Sequence, residues 1–87
     1  MTDAKKILVV EDESHLAKGL QFNLEREGYI VSLVDNGESA IELLGEQAFD
    51  LMILDIMLPK LNGIEVAKRV RNTDIRFPIL MLSAKSS

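Results

Sequence analysis

Four short apolar runs recur along the chain with helix-patterned segments between them, and this alternation restricts the fold more than any other feature of the sequence. Ile7 to Val10 reads ILVV, continuous and rich in β-branched residues, as expected of a parallel strand covered on both faces. Ser14 to Glu27 then sets Leu16, Leu20 and Leu24 at i+4 spacing, with Ala17 and Phe22 beside that stripe. Gly28 follows as a C′ residue, so the segment reads as a helix with its stop signal. Tyr29 to Val34 (YIVSLV) is a second, less uniformly apolar strand, the pattern of a sheet edge. Gly37 to Gln47 reads as a second amphipathic helix, with Ala40, Ile41, Leu44 and Ala48 assigned to one face.

Leu51 to Leu54 (LMIL) predicts a third buried strand, ended by a loop over Ile56 to Asn62 in which Pro59 stops any ladder. A third helix is expected from Gly63 to Asn72, with Val66, Ala67 and Val70 inward and Lys68, Arg69 and Arg71 on a solvated face. Pro78 opens a fourth strand, Ile79 to Leu82. The order is β-α-β-α-β-α-β. Strands separated by helices imply right-handed crossovers, a parallel doubly wound α/β sheet and helices on both faces.

The chain has 87 residues, 47% hydrophobic and 28% charged, enough for one core and one domain over residues 1–87. A net charge of −4 speaks against a nucleic-acid surface in this segment. The absence of cysteine excludes disulfides and thiolate metal sites, and it suits a cytoplasmic location. The N-terminal apolar run of four residues is too short for a signal peptide or a membrane span, so no membrane partner is expected.

Chemistry gathers after the strands. Glu11, Asp12 and Glu13 follow the first, Asp55 the third and Ser83 the fourth. Ligands of open parallel sheets bind outside the carboxyl ends of the strands, where the strand order reverses. If the first and third strands are neighbours, Glu11, Asp12 and Asp55 converge there. Clustered carboxylates repel one another unless a cation neutralises them, and all-oxygen ligands favour Mg²⁺ or Mn²⁺. A carboxylate also serves as a nucleophile towards phosphorus, and Ser83 offers a hydroxyl to a phosphoryl oxygen. The alternative for Glu11, Asp12 or Ser14 is a helix-capping role. His15 is expected in solvent, and Met52, Met57 and Met81 as core or loop fillers.

KILVVEDE, LMILDIMLPKLNG and FPILMLSAK, in this order and spacing, resemble the receiver domain of two-component response regulators, a flavodoxin- and CheY-like fold. The match runs from Lys5 to Lys85. The wording DIMLPKLNG with LSAK is most similar to regulators carrying a winged-helix DNA-binding domain. The resemblance implies that Asp55 is the phosphoacceptor of a partner histidine kinase. It implies that Glu11, Asp12, Asp55 and the main-chain carbonyl of Met57 hold Mg²⁺, and that Ser83 is the switch hydroxyl. Such a module accepts a phosphoryl group and is not a turnover enzyme beyond self-phosphorylation with small donors.

Receivers of this family have five strands and five helices, so the segment is expected to be the N-terminal part of one, lacking the last α-β-α and the lysine of the fifth strand. Lys85 lies too early in the motif to replace it. A fourth strand without a neighbour predicts either association between copies through that edge or a loosely packed monomer. The alternative function is then a silent, self-associating fragment. A phosphohydrolase using an aspartate pair is disfavoured by Met57, which stands where its second aspartate would be. A dinucleotide fold is disfavoured by EDES in place of a glycine-rich turn.

Overall fold

A computed structural model of the chain describes residues 4–58, 60–73 and 76–82. Strands β1 (Lys6–Val10), β2 (Ile30–Val34), β3 (Leu51–Asp55) and β4 (Ile79–Leu82) form one parallel sheet in the order β2-β1-β3-β4. Helices α1 (Ser14–Arg26), α2 (Gly37–Glu46) and α3 (Gly63–Thr73) are its crossovers. The β-α-β-α-β-α-β order of the sequence is thus the order of the fold, with β2 at an edge and β1 beside β3.

The two central strands are buried on both sides because alternate residues feed two cores. Leu8, Val10, Met52 and Leu54 point to one face, where Ala40 of α2 and Val66 and Val70 of α3 cover them. Ile7, Val9 and Ile53 point to the other, against Leu20 and Leu24 of α1. A side-chain period of two along each strand therefore sorts a continuous apolar run into both layers.

Helix ends follow local chemistry. Glu13 caps α1, its Oε1 accepting from the Leu16 amide at 2.7 Å. Asn36 caps α2 through Oδ1 and the Ser39 amide at 2.8 Å. Asn62 Oδ1 accepts from the Glu65 amide at 3.0 Å at the start of α3. Gly28, with φ of 96°, closes α1 in the left-handed region as its C′ position suggested.

The structure departs from the sequence reading in places. Helices α1 and α2 each end one residue earlier than expected, Glu27 and Gln47 being their C-caps. Strand β1 gains Lys6, whose amide donates to Asp50 Oδ2 at 2.8 Å, and β3 runs on to Asp55. Strand β2 begins at Ile30, because the Tyr29 amide is still bonded to the Leu24 carbonyl of α1. Phe22 is 62% exposed with the Arg26 guanidinium 5.8 Å from its ring centre, so it lies outside the packed stripe. Ala48 falls beyond α2 and is exposed. Arg71 is not merely solvated: it donates to the Phe77 carbonyl and ties α3 to the approach of β4.

Candidate functional site

Consecutive strands β1 and β2 run outward in one direction, and β3 then adds on the opposite side of β1. The switch point of the sheet therefore lies between the carboxyl ends of β1 and β3. Val10 is level with Leu54. One residue further on, the register sets Glu11 beside Asp55. The β1–β2 ladder continues to the Glu11 amide, which donates to the Val34 carbonyl at 3.0 Å.

Glu11, Asp12 and Asp55 each offer an oxygen within 4.8 Å of the others. Glu11 is 4% exposed and Asp55 7%, while Asp12 is open to solvent. Two backbone amides hold the buried pair in place. Glu13 N–H donates to Glu11 Oε2 at 3.0 Å, and Met57 N–H donates to Asp55 Oδ1 at 3.1 Å. Both are short-range turns in which the carboxylate binds the amide two residues on, so each strand exit fixes its own acid.

Burial pushes the Glu11 carboxyl above its ordinary range, and the negative charges of Asp55 and Asp12 add to the rise. The hydrogen bond from the Glu13 amide opposes it. A cation among the three carboxylates would remove the cause of the repulsion and satisfy the donor set, which is three hard oxygens with no nitrogen or sulfur. The residues fit a small hard divalent ion such as Mg²⁺.

Of the residues singled out in the sequence, Glu11, Asp12 and Asp55 are brought together. Met57 lies beside them in sequence with 66% of its surface exposed, a loop position and not a core filler. Pro59, Ser83 and Lys85 lie outside the described residues. Leu82, the last residue of β4, pairs with Asp55, so the fourth strand ends level with the site. The sequence reading missed Glu13. It considered Glu11, Asp12 or Ser14 for the helix start, yet Glu13 both caps α1 and anchors Glu11 through its amide. The only signal for it was an acidic residue directly before a helix.

A family model described as the response regulator receiver domain matches residues 7–87. The alkaline phosphatase synthesis transcriptional regulatory protein PhoP of Bacillus subtilis is 53% identical over 81 residues, which is 93% of this chain and 34% of that protein. The transcriptional regulatory protein YkoG of the same organism is 44% identical over 93% of this chain and 36% of its own. The chain thus spans about a third of the length of these curated relatives. Among solved structures, TrrA of Thermotoga maritima in complex with Mg²⁺-BeF superposes with a TM-score of 0.90 at 39% identity, over 94% of this chain and 71% of that one. The chemotaxis response regulator CheY4 of Vibrio cholerae gives 0.89 at 30% identity, over 97% and 72%. The acidic cluster at the carboxyl ends of β1 and β3, the strand order and these matches agree, and the chain belongs to the response regulator receiver domain family of two-component signalling.

Proposed function

We propose that Asp55 accepts a phosphoryl group from a histidine kinase in a reaction that needs a divalent cation held by Glu11, Asp12, Asp55 and the main-chain carbonyl of Met57. The observation that carries this reading is the convergence of three carboxylate oxygens within 4.8 Å at the switch point of the sheet. A bound Mg²⁺ would offset charge on the transferring phosphoryl group. The chain's own residues supply the nucleophile and its orientation. The Met57 amide holds Asp55 Oδ1 at 3.1 Å and fixes the plane of the carboxylate. An Asp55 oxygen forms the new bond to phosphorus while the bond from phosphorus to the donor imidazole nitrogen breaks, and the electron pair leaves with that nitrogen, which is then protonated.

The Thermotoga relative was solved in complex with Mg²⁺-BeF, which supports this ligand class. Ser83 would meet the phosphoryl group as a switch hydroxyl. Transcriptional regulation is the reading that PhoP and YkoG, both transcriptional regulatory proteins, support for the whole protein, and we read its location as cytoplasmic, in keeping with a chain that has no cysteine. Among the described residues no helix is long and apolar enough to cross a membrane.

Intact mass after incubation with Mg²⁺ and a small phosphodonor tests the reading, beside Asp55→Asn. One labile phosphoryl adduct, absent from the variant and from a sample with the metal chelated, is expected. A folded wild type that gains none, or an adduct that persists in Asp55→Asn, would overturn it.

A further inference from the structure

Helix α2 carries two glycines with opposite surroundings. A Cβ built on Gly45 meets nothing within 4 Å. A Cβ on Gly37 would lie 2.6 Å from Val66 Cγ2 and 2.8 Å from the carbonyl oxygen of Leu61. Gly37 is the first residue of α2, directly after the Asn36 cap, and it is buried. Leu61 belongs to the segment between β3 and α3, and its side chain packs on the same core as Leu58 and Val66. The segment's other end is equally close. A Cβ on Gly63 would collide with the Asp55 carbonyl and lie 2.7 Å from Ile56 Cα, and the Gly63 amide donates to the Ile56 carbonyl at 2.9 Å.

Among the described residues between β3 and α3, backbone therefore approaches closely at two places where no side chain intervenes, Ile56 at Gly63 and Leu61 at Gly37 of α2. Asp55 and Met57, joined by the Met57 amide, sit at the start of that segment. We propose that Gly37 is a positioning residue for the cation site: its missing side chain lets the first turn of α2 brace the Leu61 carbonyl and so hold the segment that follows Asp55 and carries Met57. This rests on the reading that these residues bind a divalent ion. A methyl group at position 37 must push against backbone at Leu61, which cannot rotate away as a side chain would. Groups that orient metal ligands typically change affinity by about 10- to 100-fold when altered.

The test compares wild type, Gly37→Ala, Gly45→Ala and Asp12→Asn. Mg²⁺ binding is followed by calorimetry, and amide resonances of Met57 and Leu61 are followed in the metal-free protein. Wild type and Gly45→Ala are expected to bind alike, and Asp12→Asn to lose binding. Gly37→Ala is expected to bind about tenfold more weakly, with Met57 and Leu61 amides displaced before any metal is added. Thermal unfolding shows whether each variant is folded. Should Gly37→Ala not fold, the double variant with Val66→Ala removes one collision, keeps the one with the Leu61 carbonyl, and is read in the same way. Wild-type affinity in a folded Gly37→Ala would overturn this proposal alone. A wild type that binds no Mg²⁺ would overturn it together with the reading of the site.

Discussion

With 4% of its surface exposed and two other carboxylates beside it, Glu11 takes up a proton more readily in the folded chain than in the unfolded one. Its folded pKa is raised, so between the ordinary value of 4.5 and that raised value the folded state binds more protons. Stability from this group therefore falls as pH rises through that window, and the penalty is complete above it. Comparing wild type with Glu11→Gln isolates the group. The wild type is expected to lose melting temperature relative to the variant as pH rises through the window without metal. Mg²⁺ should abolish that loss, because it binds the deprotonated site and competes with the proton. A difference that ignores pH would contradict the burial argument. Asp12→Asn tests the same repulsion from the solvent side. Removing one of three clustered charges is expected to stabilise the metal-free protein by on the order of 1 kcal/mol. It should also erase the stabilisation that excess Mg²⁺ gives the wild type, about 2.7 kcal/mol at a hundredfold excess over Kd. Thermal unfolding with and without Mg²⁺ reads both effects.

Helix α1 is well started and poorly filled. Glu13 caps it, Ala17 is its one buried residue, and Gly19 stands in its middle with open space where a methyl group would go, nothing lying within 4 Å. Gly19→Ala is expected to raise stability by about 0.5–1 kcal/mol, since alanine fits the helix and restricts the unfolded chain. Gly28→Ala should lower it by a similar amount or more, because φ of 96° strains any residue with a Cβ. Denaturant midpoints of the two variants should move in opposite directions. Elements of this kind were legible because the apolar runs at 7–10, 51–54 and 79–82 are too short for helices, and Gly28 and Pro78 punctuate them. Pairing of β1 with β3, on which the site depends, was legible only as a condition, since register and neighbour order are tertiary facts. The exposure of Phe22 and Leu16 was not legible. A helix of i+4 leucines shows which residues share a stripe, but how wide a stripe the sheet covers depends on where the helix crosses it. Glu13 was hidden for a related reason: three acids in a row are equivalent in sequence until the backbone turns.

At the scale of the whole molecule the sheet is covered unevenly. Helix α1 packs on β1 and β2, while Leu80 of β4 is 53% exposed and Leu82 only partly buried. Among the described residues no strand pairs with the outer edge of β4. That edge presents unpaired backbone groups next to an apolar side chain, the combination that recruits a strand from another chain. A chain of these 87 residues studied alone is therefore expected to self-associate at micromolar concentrations. Leu80→Lys places a charge on the open face without disturbing either core, since Leu80 belongs to neither cluster. The variant is expected to sediment as a monomer where the wild type does not, with the same Mg²⁺ affinity, because Leu82, and not Leu80, is the β4 residue paired with Asp55. Sedimentation velocity across a concentration series decides the matter. A wild type that stays a compact, cooperatively unfolding monomer would mean that the four strands and three helices shield their own edge. Association that survives Leu80→Lys would move the contact to another exposed apolar residue, such as Phe22 on α1 or Ile30 on the opposite sheet edge.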